Sequence, residues 1–197
     1  SPESGSEVTF NPYLAPGTDV GEVSVSYTDQ VKENRYSRIA AVKTVWQTAD
    51  GLIDVSFGEG VVRVQPNTAG TGGNALIAAY DADNTILWSW HIWAVNYDPE
   101  AAVVNFGLYQ MMTRNLGALA NDNSTTDKIL ASYGLYYQWG RKDPFIGPAS
   151  YNAANGASAS MYNGGGSRVY LKTEVSSAEA GTMDYAVRNP LTFIVGV

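Results

Sequence analysis

The sequence predicts a mainly β protein in two units, an antiparallel β-sandwich over residues 1–98 followed by a smaller, loop-rich α+β unit over 103–197. Three observations predict it. Apolar–polar alternation of period two recurs through the first hundred residues, where no helical period does. Turn residues punctuate those runs at sandwich-like spacing. Charge and texture then change together near residues 98–102. Residues 1–100 carry thirteen acids and five bases, residues 101–197 six acids and seven bases, and the later half is rich in Gly and Asn loops.

In the first unit, Val23, Val25 and Tyr27 alternate with Glu22, Ser24 and Ser26, the pattern of a strand with one wet face. Residues 39–46 are a second run. Residues 53–57 and 61–65 flank Gly58-Glu59-Gly60, where glycine permits the positive φ of a tight hairpin. Residues 75–80 and 85–95 flank a second turn, Asp81-Ala82-Asp83-Asn84. With residues 8–10 these make about seven short strands, as in an Ig-like sandwich. The second unit is less regular. Residues 108–113 and 133–139 read as strands, and 151–166 as an exposed loop. Thr182 can cap a helix over 183–188, which Asn189-Pro190 stops because the residue before proline resists helical dihedrals. Residues 191–195 form an apolar strand so near the end that the unit is open to being truncated.

Composition excludes several chemistries. A net charge of −7 and a pI near 4.6 argue against nucleic-acid partners, which need a basic footprint. With no Cys and one His, disulfide frameworks, Cys-ligated zinc, iron–sulfur clusters and thiol chemistry are out. A Ser-His-Asp site has only His91 to draw on. No run is apolar enough to cross a bilayer and no signal peptide stands at the N-terminus, which predicts a mature or trimmed soluble form.

The most unusual segment is Trp88-Ser89-Trp90-His91-Ile92-Trp93. As a strand it turns Ile86, Trp88, Trp90 and Ile92 one way and Leu87, Ser89, His91 and Trp93 the other. With both faces apolar, a central strand covered on both sides is expected. Core packing is favoured over a sugar-stacking platform, because large aromatics are mostly buried. The second cluster is residues 133–145. Tyr136, Tyr137 and Trp139 can stack on a ligand to which Arg141 donates hydrogen bonds, with Tyr151 and Tyr162 in the following loop as further candidates. The competing reading has Arg141 and Asp143 bracing a turn. Asp81–Asn84 and residues 121–127 offer alternating oxygens for calcium, but both lack the later Gly and Glu of an EF-hand loop, so solvated turns are expected. Asn123-Ser124-Thr125 is a three-residue glycosylation pattern of low specificity. No paired carboxylates or phosphate loop stand out, so no catalytic residue, metal or cofactor is expected.

At these same clusters the chain resembles a known family. Residues 73–79 and 86–93, then Arg114-Asn115-Leu116-Gly117-Ala118, residues 133–145 and residues 189–194 are similar, in order, to segments of the fimbrillin-family surface proteins of Bacteroidetes and of related major paralogous domains. The resemblance covers roughly residues 73–194; residues 1–72 share only β character. It implies an exported protein, often a lipoprotein, at the cell surface, outer membrane or fimbrium, and a second unit similar to C-type-lectin-like folds. The family continues into a Trp-Gly segment and a Cys-Pro-containing segment that this chain lacks, and no lipid-bearing Cys precedes Ser1. Anchor and fold completeness therefore stay open.

The expected function is a non-catalytic adhesin or pilus-associated structural subunit. Its partners would be other fimbrial subunits or surface ligands, glycans among them. Members that build fibres do so by strand exchange, which is β-augmentation of an unpaired edge. Residues 1–17, with Pro2, Pro12 and Pro16, are a candidate arm for this, or simply a disordered terminus. The alternative is a carbohydrate-binding module, with a secreted hydrolase as a background possibility.

Overall fold

The computed structural model describes residues 6–13, 39–67, 72–98, 101–149 and 159–196. The expected strand at 21–27 and Tyr151 lie outside them, as do residues 1–5 and 14–17 of the candidate arm. The rest is mainly β and antiparallel. β1 (Val8–Phe10), β4 (Val61–Pro66) and β3 (Ile53–Gly58) form a three-stranded sheet in the order β1-β4-β3. β2 (Ala41–Gln47), β5 (Gly73–Tyr80) and β6 (Ile86–Ala94) form most of a five-stranded one. Thus residues 8–10 of the candidate arm are held within this chain, with Val8 opposite Val64.

The two sheets pack face to face. Val62, Val64 and Ile53 from the small sheet meet Val42, Ile77 and Trp88 from the large one in a buried cluster. Hairpin chemistry explains the small sheet: Glu59 (φ 54°) and Gly60 (φ 73°) both take the left-handed region that two-residue hairpin turns require. At the other turn, Asp81 Oδ1 accepts from the backbone of Asp83 (3.0 Å) and Thr85 (2.8 Å), so this carboxylate closes a turn of its own.

The central strand is β5, not β6. Gly73 to Ala79 are buried without a break, with Ala75, Ile77 and Ala79 on the sandwich side and Leu76 and Ala78 on the opposite side. Among the described residues β6 stands at one end of the large sheet, beside β5. Its expected facing also needs correction. The register slips between Ala79 and Tyr80, which pair with Trp88 and Ile86, leaving Leu87 as the extra residue of a bulge. Leu87 therefore joins Trp88 in the sandwich core, and Ile86 packs on the far side.

That far side is covered by later residues. Leu135, Ile146 and Met161 pack on Val45, Trp46, Leu76 and Ala78. β9 (Met161–Tyr162) and β10 (Arg168–Val169) extend the large sheet, Tyr162 pairing with Gln47. Part of the expected 151–166 loop is thus a strand, with Met161 buried and Tyr162 half-buried, and residues 151–158 lie outside the described residues. The expected strand at 133–139 is absent, reduced to one bridge between Tyr136 and Phe145. Tyr133 instead caps a helix, α1 (Thr126–Ser132), and Gly134 follows at φ 74°. A second helix, α2 (Met183–Arg188), is capped by Thr182 as expected and rests Val187 in the sandwich core. Two small sheets complete the described residues: a hairpin of β7 (Val103–Phe106) and β8 (Tyr109–Met112), and a parallel pair of β11 (Lys172–Val175) and β12 (Thr192–Val195). No helix among the described residues is long and apolar enough to cross a membrane.

Candidate functional site

The polar residues of the two distinctive clusters meet at one junction, beside β5 and β6. Ser89 and Asp143 are both buried. Ser89 Oγ donates to Asp143 Oδ1 and Oδ2 (2.9 and 2.8 Å) and accepts from Lys142 Nζ. Lys142 Nζ also donates to the Ser89 carbonyl (2.9 Å) and to Asp143 Oδ1 (2.6 Å), and stands 4.3 Å from the centre of the Trp88 ring. Burial lowers the pKa of Lys142, opposed by the carboxylate of Asp143. A serine nucleophile needs an open approach and a free base. Here the serine is enclosed and the amine is an ion-pair partner of Asp143.

His91 stands two residues along the same strand face. Asn74 Nδ2 donates to the Gly117 carbonyl (2.8 Å), which leaves Asn74 Oδ1 to accept from His91 Nε2 (2.9 Å). Burial pushes the imidazole pKa down to about 4, with Asp143 acting the other way, so His91 is neutral at pH 7. Gly117 takes φ 81°, and a Cβ there would lie 2.5 Å from Leu135 Cγ. Only glycine fits. The Leu135 amide donates to the Leu116 carbonyl (2.9 Å), tying the 114–118 and 133–145 segments together.

The third set of stitches reaches the C-terminal segment. Arg141 Nη2 donates to the carbonyls of Asn189 (3.0 Å) and Ala186 (3.4 Å) at the end of α2, and its guanidinium stands 5.1 Å from the centre of the Phe145 ring. Burial lowers its pKa, with Asp143 opposing. The side chain proposed to reach a ligand is therefore turned inward and braces a helix end. Gln138 does something sequence reasoning missed. Its Oε1 accepts from the Ile194 amide (3.1 Å) and its Nε2 donates to the Ile194 carbonyl, so one side-chain amide pairs with β12 as a neighbouring strand would.

The aromatic candidates part company. Tyr136, Tyr137 and Trp139 share the 136–140 turn and all are exposed, Trp139 fully. Burial of the Tyr137 hydroxyl end still raises its pKa. Tyr162 belongs to the large sheet, with the Arg168 guanidinium 5.7 Å from its ring centre. No family model, curated protein or solved structure matches this chain.

Proposed function

We propose that this chain is a non-catalytic subunit of a cell-surface or pilus-like structure of the fimbrillin kind, assembling by strand addition. The observation that carries this reading is the lopsided parallel pair β11–β12. Parallel strands are ordinarily buried inside larger sheets. Among the described residues this pair has two members, and all four residues of β11 are exposed. The Lys172 and Ser176 amides donate to the Leu191 and Val195 carbonyls (both 2.9 Å), so the pleat turns the backbone of Thr173 and Val175 away from β12. On the far edge of β12, Gln138 occupies the Ile194 backbone. Among the described residues one edge is sealed and the other presents unpaired donors and acceptors, which favours a single incoming strand on β11. The inward use of Asn74, Ser89, Arg141, Lys142 and Asp143 supports a scaffold over a catalyst. An Ig-like first unit, a lectin-like second unit and export to the surface belong to the same proposal.

Val175→Pro tests it, since proline on a solvent-facing edge removes one outward N–H without a native partner. Concentration-dependent polymers of the wild type, lost in the variant at an unchanged melting temperature, are the expected result. Polymers that persist in Val175→Pro, or a wild type that forms none, would overturn strand addition at β11.

A second reading, carbohydrate binding, is favoured by the full exposure of Trp139 next to exposed Tyr136 and Tyr137. Aromatic faces presented to solvent suit stacking on sugar rings. Glycan-array signal that disappears in Trp139→Ala supports it; equal signal in both proteins removes it.

A further inference from the structure

We propose that the β7–β8 hairpin is a self-association surface, its apolar face meeting the same face of a second copy of this chain across a two-fold axis. This surface is separate from β11 and does not depend on strand addition. In the register of the hairpin Val104 pairs with Met111 and Phe106 with Tyr109, so these four side chains share one face. On the other face, Gln110 Nε2 donates to Asn105 Oδ1 (3.1 Å). The apolar face is bare: Phe106 is 59% exposed, Tyr109 75%, Met111 58%, and Leu108 at the tip 98%. The base is anchored, with the Thr113 amide and hydroxyl both donating to the Ala102 carbonyl (3.0 and 3.1 Å). Among the described residues neither strand pairs with any other. A lone two-stranded hairpin is marginal in water without a packed face.

Area and charge identify the occupant. Those five side chains leave on the order of 600 Å² open, so burying the face in both copies removes about 1,200 Å², the lower end of specific interfaces. A two-fold contact needs a patch complementary to itself, and a uniformly apolar face satisfies that condition. Residues 103–112 contain no charged residue and no proline, so two copies meet there without desolvating a charge, although each chain carries −7. The same stretch lacks the Lys and Pro that ordinarily guard an open edge. A lipid surface is the poorer match. The cation next to the hairpin, Arg114, is stacked 3.6 Å from the centre of the Tyr97 ring, and an acidic chain is repelled by anionic headgroups.

Sedimentation of the full chain over a concentration series tests the proposal. In Val175→Pro, whose β11 edge is blocked, the chain is expected to pass from monomer to dimer, and Val175→Pro combined with Phe106→Lys to stay monomeric with an unchanged circular-dichroism spectrum. Val175→Pro combined with Asn105→Lys, on the opposite face, should dimerise like Val175→Pro alone. A Val175→Pro chain that stays monomeric throughout, or one that dimerises equally well with Phe106→Lys added, overturns the proposal. A monomeric Val175→Pro chain that floats with phosphatidylcholine vesicles assigns the face to a membrane instead.

Discussion

Two hairpins in this molecule have similar local chemistry and opposite fates. β3–β4 turns through Glu59 and Gly60 and alternates cleanly, with Val62, Val64 and Ile53 buried against the large sheet and Asp54 and Ser56 outside. β7–β8 turns through Gly107 (φ 60°) and also places Val104, Phe106, Tyr109 and Met111 on one face, yet that face is left exposed. The difference lies in what stands opposite. A pleated ribbon sorts its side chains by itself, but only a second layer converts the sorting into buried area and stability.

Four measurements break or sharpen that contrast, taken from the largest effect down. Trp88→Ala, in the strand that the small sheet covers, should cost about 3–5 kcal/mol in chemical denaturation. A loss under about 1 kcal/mol would mean the covered region is no better packed than the bare one. Next comes pH. Because the His91 pKa is about 4 in the folded chain against 6.5 unfolded, the unfolded state binds the extra proton between those values. Stability is therefore intact above pH 6.5 and falls as the pH drops toward 4, by up to about 3 kcal/mol. His91→Gln should flatten that limb of the stability curve; an unchanged slope would mean that another group titrates.

Gly117→Ala tests the stitched junction between the same layers. The added methyl meets Leu135 at a backbone dihedral that alanine resists, and a loss of about 2 kcal/mol is expected from thermal unfolding. Finally, Phe106→Ser should change the stability of the dilute monomer by less than about 0.5 kcal/mol. A much larger loss would show that the β7–β8 face is already covered within one chain.

Legibility followed the range of the interaction. Both tight turns, the strands flanking them and α2 with its Thr182 cap were readable because each rests on residues a few positions apart. Residues 133–139 misled because their aromatic alternation imitates a strand, whereas Gly134 and the end of α1 break it. α1 itself went unread: it is seven residues long, buries none of them, and follows a run of Asn, Asp, Ser and Thr that reads as loop. In the candidate site, Tyr136, Tyr137 and Trp139 were legible as an aromatic cluster, but not as an exposed turn. The inward roles of Arg141, Gln138 and Asn74 were not, because their partners are Asn189, Ile194 and Gly117, more than forty positions away in each case. The uncharged run 103–112 was a signal of the bare hairpin that composition alone contained.

By itself the sequence determined the β character, the turn positions, the absence of thiol chemistry and the presence of two aromatic clusters. These follow from side-chain period, backbone freedom at glycine and residue inventory, all of them local. Only the tertiary structure decided that β5 is the central strand, that a bulge at Leu87 redirects the tryptophan strand, and that Ser89, Lys142 and Asp143 close on one another. It also decided which ribbons are covered. Burial and long-range hydrogen bonding depend on what the rest of the chain brings alongside, and no window of neighbouring residues contains that information.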